Sequence, residues 1–208
     1  RGRARALPKL SLLINLRGSH EHNNMLAVGV LAAGSPFPKR GYGDPTPLRY
    51  ANVDAELYGA DIAAAYAIND AWRLDAGAGY TRGKRRDTDD DLYRIAPANL
   101  RAGVTWQDAD WRVSLTQRYI FEQNHVSRTH ADARLGEPET AGYALTDIAA
   151  SYRVSPSVTV TAGLDNLFDK GYRDFLAGYN RATGSDIDVG QRLPGAGRNA
   201  YVSLTADF

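Results

Sequence analysis

The chain contains no cysteine, which excludes disulfide staples and thiolate metal centres from the outset. It also lacks any apolar run of about 18 residues, so no segment qualifies as a membrane-spanning helix. Mean hydropathy is negative, at −0.42. Charge of one sign is missing too. The 25 basic and 24 acidic side chains leave a formal net charge of +1. No basic face is available to follow a nucleic-acid backbone, and a nucleic-acid partner is not expected. Methionine occurs once. No export signal is recognisable. Arg1, Arg3 and Arg5 precede a short apolar stretch interrupted by Ser11 and Asn15, without a small-residue cleavage pattern.

What the chain does have is glycine (20), tyrosine (12) and a two-residue period. At the carboxyl end, Ala200, Val202, Leu204, Ala206 and Phe208 alternate with Asn199, Tyr201, Ser203, Thr205 and Asp207. In a strand each set occupies its own face. The same pattern recurs over residues 55–67, 72–81, 93–106, 111–118, 143–153 and 158–165. One face is apolar, as in Trp72, Leu74, Ala76, Ala78 and Tyr80, and the other is polar or small, as in Arg73, Asp75, Gly77, Gly79 and Thr81. Seven strands are therefore expected from residue 53 onward. Residues 10–16 and 25–32 suggest a further strand pair around the polar segment 18–24. Prolines 36, 38, 45 and 47 then mark a loose connection.

Short turns near 69, 108 and 155 alternate with long connections at 82–92, 122–142 and 169–197. Transmembrane β-barrels have short periplasmic turns and long external loops, so this alternation gives each sheet end a side and puts the carboxyl terminus in the periplasm. Trp72, Trp106, Trp111, Tyr66 and Tyr152 fall near the short-turn end, as an interfacial aromatic girdle requires. Tyr80, Tyr119, Phe168 and Tyr172 fall near the other. A soluble antiparallel sandwich also alternates, but its strands usually have about 5–6 residues, and these are about twice as long. The expected fold is all-β, an antiparallel transmembrane β-barrel wall. Lumenal charges are then expected at Arg73, Arg101, Arg112, Arg118 and Arg153, with Asp61, Asp75 and Asp147.

No catalytic constellation stands out, and no cofactor is expected. Asp165 and Asp169 read as strand-end hydrogen-bonding groups rather than an acid pair. Gly195 and Gly197 lack the strand–glycine–helix context of a phosphate loop. Ser151 and the four histidines form no hydrolase pattern. The sharpest metal feature is His20-Glu21-His22 followed by Met25, whose imidazoles and thioether suit copper and whose imidazoles with a carboxylate suit other divalent ions.

Two motifs carry a family resemblance. Asp165-Asn166-Leu167-Phe168-Asp169-Lys170-Gly171-Tyr172-Arg173 resembles the signature after the penultimate strand of TonB-dependent outer-membrane receptors. Leu193-Pro194-Gly195-Ala196-Gly197-Arg198, leading to a strand that ends on Phe208, resembles the approach to their terminal strand. Residues 52–61 and 93–100 resemble other barrel segments of the family. The resemblance covers residues 49–208 and is poor over 1–48, a stretch expected to hold a strand pair and a Pro/Gly-rich loop.

The resemblance implies a 22-stranded barrel around an amino-terminal plug, of which this chain would supply about 7–9 strands at the carboxyl end; about 22 strands is also the size that leaves a plugged lumen. On that reading the chain lacks its true start. Implied partners are TonB, acting through the missing plug, outer-membrane lipid, the outer-membrane assembly machinery and a metal chelate. The implied function is uptake of such a chelate, foremost a ferric siderophore, without covalent chemistry. Within loop 169–197, Tyr172, Arg173, Tyr179, Asn180, Arg181, Asp186, Asp188 and Arg192 offer aromatic surface, cationic donors and acceptors that suit an anionic chelate. Alternatives are a copper or cobalamin receptor, or a small self-contained barrel of about eight strands serving adhesion or membrane integrity.

Overall fold

The computed structural model describes residues 9–29, 48–128, 137–180 and 182–207, with backbone alone for 19–29 and 48–53. Eight strands follow one another as a meander: β1 (Lys9–Gly29), β2 (Leu48–Ala67), β3 (Trp72–Arg85), β4 (Asn99–Gln107), β5 (Trp111–Ile120), β6 (Tyr143–Ser155), β7 (Val158–Asp165) and β8 (Asn199–Ala206). Each pairs antiparallel with its neighbour in sequence, giving the order β1 to β8. The sheet is not closed. Among the described residues β1 and β8 each keep one edge without a strand partner.

Register fixes which side chains share a face, because a one-residue slip would turn every side chain over. One cross-strand row runs Leu10, Tyr66, Leu74, Val104, Leu115, Ile148, Leu164, Ala200 through all eight strands. A parallel row on the same face runs Trp72, Trp106, Val113, Ala150, Ala162, Val202. The opposite face carries Lys9, Ala67, Arg73, Thr105, Ser114, Ala149, Gly163, Tyr201 in one row.

The apolar face has nothing packed on it. Leu16, Val202 and Leu204 are 76%, 77% and 66% exposed. Buried apolar side chains among the described residues are few: Ala55, Leu92, Val126, Tyr143, Leu145 and Phe175. All lie at the end where the long connections emerge. A soluble sandwich would bury the strand faces instead, so the alternation marks a surface that meets hydrocarbon. Within the apolar rows of β5 and β6, Gln117 and Thr146 are polar, and they satisfy each other. Thr146 Oγ1 lies 2.6 Å from Gln117 Oε1 across the β5–β6 pair. The polar face pairs charges with one another, as in Arg17–Asp61 at 2.5 Å, Arg73–Asp75 at 2.7 Å and Arg118–Asp147 at 3.0 Å.

The seven strands expected after residue 53 are present, with shifted ends, and β2 already starts at Leu48 rather than near Ala55. β3 continues through Arg85, because β2 extends far enough to supply ladder partners up to Ala55–Arg85. β4 starts at Asn99 rather than Tyr93. Leu92 and Ile95 instead fold onto Ala55 and Leu57 on the polar-face side and close a small apolar cluster there. Residues 9–29 form a single strand, not a pair around segment 18–24. β2 offers it a partner along nearly its whole length, and the polar stretch is absorbed by a register shift between Glu21 and Asn24. Residues 30–32, expected in the second member of that pair, lie outside the described residues.

The aromatic girdle at the short-turn end is present. Trp72 pairs with Trp106, and the Trp111 and Tyr152 rings meet at 4.7 Å, tilted by 41°. At the other end Tyr58 and Tyr80 lie 6.4 Å apart, and Tyr119 meets Phe121 edge-on at 4.8 Å. Tyr172 does not belong to that outer ring. It turns to the polar-face side, onto Tyr143 at 4.5 Å.

Candidate ligand-recognition cap

The two motifs that flank loop 166–198 meet in space. Asn166 ends β7 with a left-handed backbone, φ 50°. Its side chain is buried. Its Nδ2 donates to the carbonyls of Lys170 and Ala196 at 3.0 and 3.2 Å, while Oδ1 accepts from Lys170 N at 2.8 Å. Its own N–H reaches Asp147 Oδ1 at 2.9 Å. Asp169, also left-handed, accepts Arg198 N at 2.8 Å and so ties the start of the loop to the approach to β8. Asp165 pairs with Asn199 at the strand end.

Gly195 closes the junction. A Cβ there would sit 2.1 Å from the Tyr172 ring, so the approach of backbone to ring demands glycine. Tyr172 is in turn stacked on Tyr143, whose hydroxyl donates to Asp174 at 2.8 Å. Gly197 stands close to Asp169, with a Cβ position 3.0 Å from Oδ1. Leu167 donates to Thr146 O, while Phe168 and Pro194 point to the surface. Phe208 lies outside the described residues.

Above this junction the three long connections interlock. Arg192, from 166–198, is buried between two aromatic rings, 4.4 Å from the Phe175 centroid and 4.7 Å from that of Tyr179. Nη1 donates to the Phe175 carbonyl and, at 3.4 Å, to that of Ala177. Nη2 donates to Pro138 O at 3.2 Å and lies 3.7 Å from Glu137 Oε1, both in connection 121–142. The Glu137 carboxylate also accepts the backbone N–H of Arg94, from 86–98, at 3.2 and 3.3 Å. Arg94 takes a left-handed φ of 59° there and donates its guanidinium to the Leu176 carbonyl in the third connection. A second tie joins the first two connections, where Asp90 accepts Ser127 Oγ and Arg128 N at 3.0 Å each.

Burial pushes the Glu137 carboxyl above the usual carboxylate range, against the pull of the Arg94 and Ser127 N–H groups and of Arg192. The Tyr179 phenol, also desolvated, is pushed up to about 12.

This geometry divides the eight loop residues expected from the sequence. Arg173, Asp186 and Asp188 are exposed. Tyr172 and Tyr179 are half-buried in aromatic contacts. Asn180 is buried and spends its amide on Ala182, Ser185 and Ile187. Arg192 is buried with its fork turned inward. Arg181 lies outside the described residues. Glu137, Arg94 and Asp174 were not singled out from the sequence. Their partners across the cap are tens of residues away, so local context does not reveal those contacts.

His20 pairs in register with Glu56 and Met25 with Asn52, while His22 falls in the register shift. All three stand in strand β1, His20 and His22 included, because β2 pairs alongside; their side chains lie outside the described residues. A cavity of about 210 Å³ opens where β4 leaves β3, between Arg82, Ile95, Phe121, Gln123 and His125. That is below the roughly 300–1,000 Å³ of enclosed small-molecule sites, so this cavity alone does not engulf a chelate.

Residues 27–167 match the family described as TonB dependent receptor-like, beta-barrel. The chain belongs to that family. The vitamin B12 transporter BtuB of Photobacterium profundum is 29% identical over 131 residues, which is 62% of this chain and 20% of that protein. The heme/hemopexin utilization protein C of Haemophilus influenzae is 26% identical over 171 residues, 79% of this chain and 21% of that protein. Among solved structures, the copper transporter OprC superimposes with a TM-score of 0.84 at 25% identity, over 96% of this chain and 29% of its own. The ferric enterobactin receptor PfeA of Pseudomonas aeruginosa gives 0.68 at 24% identity with the same coverage. The chain therefore spans about a fifth of the curated relatives and under a third of these structures. TonB-dependent receptor barrels are transport receptors of the outer membrane rather than enzymes, and the apolar face of the sheet is their lipid-facing wall.

Proposed function

We propose that this chain is the carboxyl-terminal part of a 22-stranded, plugged receptor barrel that imports a metal chelate across the outer membrane. TonB drives transport through an amino-terminal plug. Eight strands with two open edges support the reading, because lipid cannot satisfy free ladder groups and the rest of a barrel can. The same open edges weigh against a small self-contained barrel. The carboxyl end lies with the short turns, on the periplasmic side. Residues 49–208 act as barrel wall and cap, with 1–48 supplying β1 and the connection after it. Assembly into the membrane calls on the outer-membrane assembly machinery.

The observation that carries the function is the joining of three long connections at one end of the sheet into a polar cap. Arg173, Asp186 and Asp188 stay exposed on its surface, Asp188 while accepting Gln191 Nε2 at 3.0 Å, with Arg181 in the same loop, to meet a chelate. Tyr172, Tyr179, Asn180 and Arg192 serve the ligand by holding that surface. A ferric siderophore is the leading substrate class.

The fit to the copper transporter OprC favours a second reading, uptake of copper, with His20, His22 and Met25 as soft and borderline ligands on β1. The test is binding to the complete receptor, probed with ferric enterobactin, cupric ion, haem and cyanocobalamin. A ferric complex whose binding weakens when Arg173, Asp186 and Asp188 are jointly replaced by alanine supports the first reading. Copper binding lost on joint replacement of His20 and His22, with surface assembly intact, supports the second. Binding of none of the four overturns both.

A further inference from the structure

We propose that Arg192, Glu137 and Arg94 form a shared latch that positions all three external connections and so sets ligand affinity without touching ligand. The inference rests on the receptor reading above, but its geometry stands apart from it.

Each member joins a different pair of segments. Arg192 of 166–198 reaches Pro138 O and Glu137 Oε1 in 121–142. Glu137 reaches back to Arg94 N in 86–98. Arg94 closes the circuit on Leu176 O, in the connection where Arg192 began. Loss of any member therefore opens a three-way cycle rather than one contact.

The residue types suit positioning rather than recognition. The Arg192 side chain is 3% exposed and that of Glu137 0%, so a ligand at the surface meets neither. The planar guanidinium between Phe175 and Tyr179 satisfies three carbonyls at once. A lysine ammonium cannot reproduce that fork or that stacking. The exposed candidates Arg173, Asp186 and Asp188 all belong to the segment that Arg192 and Leu176 hold down. A surface held in one arrangement binds without first losing the freedom of its loops.

The test uses the complete receptor in lipid bilayers, spin-labelled in pairs after Thr88→Cys, Glu139→Cys and Thr183→Cys, one exposed site in each connection. Narrow distance distributions are expected in the unmodified cap. Arg192→Met should broaden all three pairs, including the Thr88–Glu139 pair that does not involve its own loop. Arg192→Lys should fail to restore them, and Glu137→Gln, which keeps an acceptor oxygen, should broaden them less. Affinity for whichever of the four probes binds should fall about tenfold with assembly unchanged. Arg94→Ala combined with Arg192→Met should cost less than the sum of the two, as members of one cycle do. Broadening confined to pairs with Thr183→Cys, or additive effects, would overturn the latch. So would unchanged affinity beside broadened distances. If none of the probes binds, the transport reading falls while the distances still decide the latch.

Discussion

The wall and the cap of this protein are stabilised in opposite ways. In the wall, large apolar side chains such as Leu115 and Val202 face outward with no second protein layer packed on them, and polar groups such as Asp61 and Arg17 face inward and pair. In the cap, the arginine Arg192 and the acid Glu137 are buried while exposed residues such as Arg173 surround them. The wall is ordered by a local ladder with its solvent supplied by lipid. The cap is ordered by long-range pairs that exclude solvent. Substitutions of the same chemical kind should therefore have different consequences in the two regions.

The largest effect is expected in the wall. Leu115→Arg places a charge in the middle of the outward row and should cost about 2–4 kcal/mol of barrel stability. Its neighbour Thr116→Arg, on the inward face, should cost far less. Urea unfolding of the assembled receptor in bilayers measures both, and equal effects would erase the distinction between the faces.

Next comes the motif junction. Asn166→Ala removes a buried amide that bonds Lys170 and Ala196 and leaves their backbone groups short of partners, at about 1–3 kcal/mol. Hydrogen exchange should show the loss concentrated in 166–198, with β2 and β3 unchanged. Gly195→Ala drives a methyl into the Tyr172 ring and should cost about 1–3 kcal/mol, as overpacking does. Trimming the ring with Tyr172→Ala in the same chain should recover part of it.

The smallest effect is expected from pH. Glu137 has a folded pKa raised by burial, so the closed cap binds its proton more readily than the open one. Its contribution is fully present below the ordinary carboxylate value and is lost as pH rises through the raised one. Exchange at the amides of Arg94 and Glu137, corrected for intrinsic pH dependence, should therefore slow on acidification through that window. Glu137→Gln should flatten the response. Faster exchange on acidification would reverse the assignment.

The wall was legible in sequence because its rule is local. Period two places Leu74, Val104, Leu115 and Leu164 on one side whatever lies beyond, and Trp72, Trp106, Trp111 and Tyr152 mark a boundary by their chemistry alone. What escaped was set by distant partners. β1 runs unbroken through its polar middle because β2, tens of residues later, pairs with it. Tyr93 and Arg94 leave the strand pattern because Leu92 and Ile95 find Ala55 and Leu57.

The cap was legible only as a region. The composition of 169–197 marks a polar, aromatic connection, but residue type does not tell an exposed arginine from one that holds a loop. Arg173 and Arg192 look alike in sequence, yet the first is exposed and the second buried.

Accessibility to oxygen and to an aqueous nickel chelate, read by spin labels in the complete receptor in bilayers, is the most direct measurement. Labels at Leu115, Val160 and Val202 should relax with oxygen and ignore nickel, while labels at Thr116, Thr161 and Ser203 should show the reverse. Nickel access at the first three sites in a correctly assembled receptor would contradict the assignment of that face to lipid, and with it the receptor-wall account.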